Sequence, residues 1–192
     1  MLKGALSSPA ALSESIDNRL NKYGTAVPLD PSTPTDSPEV EALRRLRVKA
    51  QEAMDNAPAK LAKLVATLRE IGVDKESNVR VVIFSERVRT LDWIAEAVRD
   101  ELGMADKQVG TFHNSKSDEE QQQIVEAFSM ASAPIRVLVT SDIASEGVNL
   151  HKQCHHLIHF DLPWSLITLE QRNGRIDRYG QLHRPEIRYL IY

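Results

Sequence analysis

The sequence predicts a three-layer α/β sandwich carrying a helical N-terminal appendage. Short β-branched or apolar runs recur beyond residue 78, among them VRVVIF (79–84), IRVLVT (135–140) and HLIHFD (156–161). The segments between several of these runs repeat apolar residues at helical spacing, and the chain before residue 78 reads only as helix and linker. Strands alternating with helices at this spacing pair in parallel through right-handed crossovers.

In chain order, SSPAALSESIDNRLNKYG begins with Ser8 placed to cap a helix, Pro9 in its first turn and Gly24 as a stop. The next segment holds four of the nine prolines within about 25–38 and few apolar residues, which reads as a linker. From Glu39 the chain is helical again. After Pro58, Leu61, Leu64, Val65 and Leu68 mark the buried stripe of another helix, which Gly72 ends. The expected division is a helical connector over 1–57 and an α/β lobe over 58–192.

Within that lobe, VRVVIF leads into a helix whose Val88, Leu91, Ile94, Ala95 and Val98 share one face. KQVGTFH is the second strand, and SDEEQQQIVEAFSM a helix capped by Ser117 with Glu120 three residues on. IRVLVT and HLIHFD follow as strands, then SLITLEQRNGRIDRYG as a helix and EIRYLIY as the closing strand.

Composition narrows the function. A formal charge of -3 gives no global pull toward nucleic acid, so any grip on phosphate must come from a local cluster. The single cysteine, Cys154, forbids an internal disulfide and fits a reducing, cytoplasmic setting. No apolar run reaches the ~20 residues of a membrane helix.

Ligands of such sheets sit at the carboxyl ends of the strands, so the loops after residues 84, 113, 140 and 161 are where chemistry is expected. Two stand out. SDIASEGVNL (141–150) offers Gly147 for close approach of a ligand to the backbone and Asn149 as both donor and acceptor; alone, a glycine turn with an asparagine cap explains it as well. EQRNGRIDRYGQ (170–181) places three arginines in an expected helix. At 100° per residue Leu166, Leu169, Asn173 and Ile176 share one face, with Gln171, Arg175 and Arg178 in a sector of ~60° opposite. Arg172 points elsewhere, where it could pair with a nearby carboxylate. Gly174 costs a helix about 1 kcal/mol relative to alanine, which suggests that something packs closely against it. Two permanently charged guanidinium forks beside a glutamine suit phosphate oxygens, and a solvated helix face is the equal alternative.

QRNGRIDRYGQ resembles motif VI of superfamily 2 helicases, Gln-x-x-Gly-Arg-x-x-Arg, with the trailing Gly180-Gln181 of the Swi/Snf type. SDIASEGVNL resembles motif V and VVIFSERVRTLDWI motif IV. FHNSKSDEEQQQIVEAF and FDLPWSLITLEQ are similar to the units between them, in the right order over 79–192. The pattern is most similar to the RapA-like bacterial branch of the Swi/Snf ATPases, and ALSSPAAL resembles the connector between lobes in that branch.

This resemblance implies a RecA-like C-terminal helicase lobe, with ATP and Mg²⁺ held mainly by a first lobe that carries the phosphate loop and acidic box. None of the eight glycines here precedes a lysine, so the G-x-x-x-x-G-K-[ST] loop is absent from this sequence, and SDEEQ reads as helix N-terminal charge. The isolated chain is therefore expected to be inactive as an ATP hydrolase. By the resemblance, Arg175 and Arg178 reach the γ-phosphate, with Arg178 the finger. Gly147, Asn149 and Gln171 lie near the nucleotide, although many relatives carry Asp in place of Asn149. Ser141, Ser85, Arg87 and His113 are assigned to a nucleic-acid backbone. The implied partners are the first lobe and nucleic acid, duplex DNA foremost, with RNA polymerase or a defence or repair complex as the wider assembly.

A non-catalytic binding module and an unrelated enzyme for a phosphorylated small molecule are the other classes. His151, Cys154, His155, His156 and His159 invite a zinc reading, but strand alternation sends neighbours to opposite faces and no second ligand pair follows, so no metal is expected. Trp164 either stacks on a base or on Tyr179, or packs under the arginine helix.

Overall fold

A computed structural model describes residues 8–23, 38–55, 59–142 and 148–191. The Gly24 stop, the proline-rich linker up to residue 37 and Gly147 lie outside the described residues. The chain divides into two compact units, Met1–Pro58 and Ala59–Tyr192.

In the first unit, α1 (Pro9–Lys22) starts as expected: the Ser8 hydroxyl accepts a hydrogen bond from the Ala11 amide at 3.0 Å and Pro9 fills the first turn. Ile16 and Leu20 of α1 pack on Val40 and Leu43 of α2 (Pro38–Asp55). Surface ion pairs, the exposed Arg19 with Glu39 at 2.8 Å and Arg47 with the half-buried Asp17 at 3.0 Å, flank that seam; such pairs contribute little, and the apolar contact holds the two helices together.

The second unit is a RecA-like three-layer sandwich. Its elements are α3 (Ala59–Ile71), β1 (Val81–Phe84), α4 (Val88–Leu102), a 3-10 turn (Asp106–Gln108), β2 (Val109–Phe112), α5 (Asp118–Ser129), β3 (Val137–Thr140), β4 (His156–His159), α6 (Leu166–Asn173) and β5 (Glu186–Tyr189). All five strands are parallel, in the order β2-β3-β1-β4-β5. Gly72 ends α3 with φ of +87°, a backbone that other residues rarely adopt. Ser117 and Glu120 form the expected capping box on α5.

Strand alternation divides the core. Val81, Ile83, Val137, Val139 and Ile158 face α3 and α4, where they meet Leu64, Leu68, Leu91, Ile94 and Val98. Val82, Phe84, Leu138 and Leu157 face the other way, onto Phe128 of α5 and onto Leu150, Cys154 and Ile176. Crossovers thus leave the sheet toward both faces around the central β1, the condition that opens a crevice at the carboxyl ends of the strands. Buried Arg80 closes the carboxyl end of α5 by donating to the carbonyls of Phe128, Met130 and Ala133.

The last predicted helix is shorter than its sequence pattern. It runs Leu166–Asn173, and residues 174–180 continue as turns. Gly174 takes φ -62° and ψ -5° as the cap, after which Arg175 and Ile176 donate to carbonyls three residues back, those of Arg172 and Asn173. The 100° wheel therefore fails beyond Asn173. Ile176 is buried as expected, but Leu166 is 78% exposed and Leu169 only half-buried. A Cβ built at Gly174 would meet only the carbonyls of Glu170 and Gln171, at 3.4 and 3.6 Å; the close packing expected there is not found among the described residues.

Candidate functional site

The strand register sets one row of side chains at the carboxyl edge: Phe112, Thr140, Phe84, His159 and Tyr189. The residues just past it, His113, Ser141, Ser85 and Asp161, are all buried. Because the strands end flush, four loops with distant sequence addresses come within reach of one another.

Arg172 joins them. It is among the largest fully buried side chains of the molecule, set 5.4 Å over the Phe84 ring. Its Nε and terminal nitrogen form a two-pronged pair with the Asp142 carboxylate, the second prong at 2.8 Å, and its other nitrogen donates to the Asp161 carbonyl at 2.8 Å. The Asp161 carboxylate in turn accepts from the Ser85 hydroxyl at 2.6 Å and from the Glu86 amide at 3.2 Å. One continuous relay thus links the loop after β1, the loop after β3, the end of β4 and α6. A fixed fork is required for this, since lysine offers no planar pair of donors to a carboxylate.

His159 sits against the relay. Its ring stacks on Tyr189 at 4.8 Å and 3°, Nε2 is 2.8 Å from the Asn173 side-chain oxygen, and Nδ1 is 3.5 Å from Arg172. A neutral ring with its proton on Nε2 satisfies both neighbours. Burial pushes its pKa down to about 4 and the guanidinium adds to the shift, against the opposing pull of Asn173.

A second set of links ties residues 148–154 to residues 175–181. The Leu150 amide donates to the Arg175 carbonyl at 3.1 Å. The Arg178 guanidinium donates to the Asn149 side-chain oxygen, with both residues exposed. The Gln181 side-chain amide is shared among the carbonyls of Cys154, Ile176 and His151 at 2.9, 3.1 and 3.2 Å. With Arg172 on Asp142, both described flanks of the loop after β3 are fastened to the arginine segment.

The predicted site residues therefore divide. Asn149 and Arg178 are in contact, Gln171 is exposed on α6, and Arg175 is half-buried beside Leu150. Ser141 lies at the edge of β3 with its amide on the Phe112 carbonyl. Arg87 is a half-exposed residue at the start of α4. Ser85 is fully buried with its hydroxyl on Asp161, an inward orientation not expected from the sequence. His113 is buried with Nε2 3.4 Å from Asp92, and its Nδ1 has no partner among the described residues. Trp164 is 74% exposed, so it does not pack under the arginine segment.

Of the relay, only the pairing of Arg172 with a carboxylate was foreseeable. Asp142 and Asp161 carry no local signal beyond being acidic residues just past β-branched strands. Cys154 is buried, with its thiol donating to the Arg80 and His156 carbonyls at 3.3 and 3.2 Å, and burial raises its pKa to about 12.

The helicase conserved C-terminal domain family matches residues 59–180. The chain is 33% identical over 114 residues to the RNA polymerase-associated protein RapA of Vibrio atlanticus, covering 59% of this chain and 11% of that protein. To the RapA of Pseudomonas savastanoi pv. phaseolicola it is 30% identical over 150 residues, covering 78% of this chain and 15% of that one. It thus spans a small fraction of these relatives. Among solved structures, the C-terminal part of the Fun30 ATPase domain matches with a TM-score of 0.60 at 20% identity, over 97% of this chain and 61% of that one. The helicase domain of Pyrococcus furiosus Hef matches at 0.59 and 19% identity, over 97% and 36%. Domain 2 of the DEAD-box helicase Mss116p, bound to an RNA duplex, matches at 0.53 and 19%, over 69% and 48%. These three likenesses are of fold.

Proposed function

The chain belongs to the helicase conserved C-terminal domain family, and from that premise we propose that it is the second motor lobe of an ATP-driven nucleic-acid translocase, contributing its arginines to a nucleotide held mainly by a first lobe. The observation that carries the proposal is the split of labour among the arginines. Arg172 is spent inside, on Asp142 and Asp161, whereas Arg178 is exposed and rests on exposed Asn149.

A guanidinium fork with an asparagine amide and exposed Gln171 fits phosphate oxygens: all three supply N–H donors, and the charge is permanent. ATP would supply the phosphoryl group whose transfer such a cluster eases. Mg²⁺ fits this edge poorly, because Arg172 already occupies both oxygens of Asp142 and, with the Ser85 hydroxyl, those of Asp161, so the ion belongs with the first lobe. Within the lobe, Arg178 neutralises charge on the transferring group, Asn149 orients Arg178, and Gln171 and Arg175 complete the donor face. The buried relay holds α6 at a fixed distance from the strand ends.

Half-exposed Arg87, with the mostly buried Ser141 at the carboxyl end of β3 as a lesser contributor, is proposed to meet a nucleic-acid backbone, reading phosphate and not sequence. Duplex DNA is the proposed track. The exposed Trp164, Leu166 and Ile167 at the start of α6 offer an apolar surface for the first lobe. Similarity to proteins named as RNA polymerase-associated supports that enzyme as one larger partner, in the cytoplasm.

The test is Arg178→Ala in a chain carrying both lobes. Nucleic-acid-stimulated ATP hydrolysis is expected to fall by ~10³ to 10⁵ while ATP binding is retained. Unchanged turnover removes the finger assignment, whereas a two-lobed chain with no nucleic-acid-stimulated turnover at all would leave a non-catalytic binding module. The isolated 192 residues are expected to hydrolyse no ATP above background, and turnover from them contradicts the two-lobe reading.

A further inference from the structure

At the amino ends of β4 and β5, parallel pairing brings together side chains that are far apart in sequence. His156 opens β4 directly beside Glu186, which opens β5. Their polar atoms, His156 Nδ1 and Glu186 Oε2, are 3.5 Å apart. His155, one residue earlier, turns its ring to within 4.0 Å of the His156 ring, and the His183 ring lies 4.8 Å from that of His155. One ligand atom from each of His155, His156 and Glu186 falls within 4.8 Å of the others. The alternation that separates neighbours within a strand does not apply, because His155 precedes β4 and the third group arrives from the next strand.

We propose that His155, His156 and Glu186 form a zinc site, with two imidazole nitrogens and one carboxylate oxygen as protein ligands and water or His183 in the fourth position. Imidazole with carboxylate is a donor set that zinc accepts. A tetrahedral ion with bonds of about 2.0–2.1 Å needs its donors roughly 3.3 Å apart, so the three must draw in by about 1.5 Å, within reach of side-chain rotation for half-exposed Glu186 and His155.

Arg188 supplies the second line of argument. Its guanidinium lies 2.8 Å from Glu186 Oε2 and 3.4 Å from His156 Nδ1, two of the atoms the ion would take. A cation already stands where the lone pairs converge. Its side chain is 30% exposed on the edge strand β5, so it can swing to solvent when an ion enters. Zinc would then fasten that edge strand to β4.

Zinc chloride is titrated into the chelator-treated 192-residue chain against a chromophoric zinc indicator, with tryptophan-monitored melting alongside. The expected result is one saturable zinc per chain, binding weakened at least tenfold by Glu186→Gln and by His155→Asn. His151→Asn, outside the cluster, is expected to bind as the parent does, and Arg188→Ala to bind several-fold tighter. Zinc is expected to raise the melting midpoint of the parent and of Arg188→Ala but not of Glu186→Gln. Absence of saturable binding below about 100 µM, equal binding in Glu186→Gln and His155→Asn, or weaker binding in Arg188→Ala would overturn the site; both Glu186 and Arg188 are partly exposed, so their variants should fold.

Discussion

Replacing Arg172 by methionine isolates what the relay is worth. The methionine fills much of the space over Phe84 but abandons two carboxylates. Each charge-assisted hydrogen bond nets about 1.5–3 kcal/mol, and Arg172 donates two to Asp142 and one to the Asp161 carbonyl. That sum overstates the loss, because Asp142, with its side chain 27% exposed, is rehydrated once released. Asp161 is only 9% exposed and cannot be, so its charge dominates the loss even though the Ser85 hydroxyl and the Glu86 amide still donate to it. Removing one partner from a buried pair costs about 3–5 kcal/mol, a large part of the 5–15 kcal/mol that holds a typical domain together. The assay is urea unfolding followed by tryptophan fluorescence, which reports the second unit alone because Trp93 and Trp164 both lie in it. Arg172→Met should lower stability by about 3–5 kcal/mol, and with Asp142→Asn it should show a coupling above about 1 kcal/mol. A loss below about 1 kcal/mol, or strict additivity of the two changes, would refute the relay as a load-carrying element.

His159 gives the unit a predicted acid sensitivity. Its folded pKa of about 4 lies below the ordinary 6.5, so the unfolded chain binds the extra proton first. The stability it contributes is complete above pH 6.5 and is lost as pH falls toward 4, by up to about 3 kcal/mol. His159→Gln should flatten the urea midpoint between pH 7 and 4.5 without abolishing its slope, since burial also pushes His156 down to about 4; an unchanged slope removes the assignment. Cys154, fully buried and with its pKa raised to about 12, should react with an aromatic disulfide at pH 8 at least ~10³-fold more slowly in buffer than in urea. Prompt labelling of the folded chain would show that the segment carrying it opens locally.

The sheet was legible because its signals are local. VRVVIF and IRVLVT are β-branched runs, Ser117 with Glu120 is a cap written in four residues, and Gly72 marks its own turn. The end of α6 was not, because the ~1 kcal/mol that Gly174 costs a helix is too small to choose between continuing and stopping. Distant contacts accompany the choice: Leu150 on the Arg175 carbonyl and Asn149 under Arg178. The same limit hid the orientation of Ser85, which faces Asp161 from 76 residues away. It also hid the gathering of His155 and His156 with Glu186, which depends on strand register. Arg172 was legible in outline from its angle on the helix, but its partners were not.

The relay also gives the lobe an order of completion during synthesis. A ribosome delivers the two aspartates, Asp142 and Asp161, before Arg172, at about 5–20 residues per second. Until it arrives, Asp142 and Asp161 lack the guanidinium that ties them together, although Lys60 already lies within electrostatic reach of Asp161. The residue that joins them arrives only six positions ahead of Arg178, so the tie between the strand-end loops closes at nearly the same time as the arginine segment is completed.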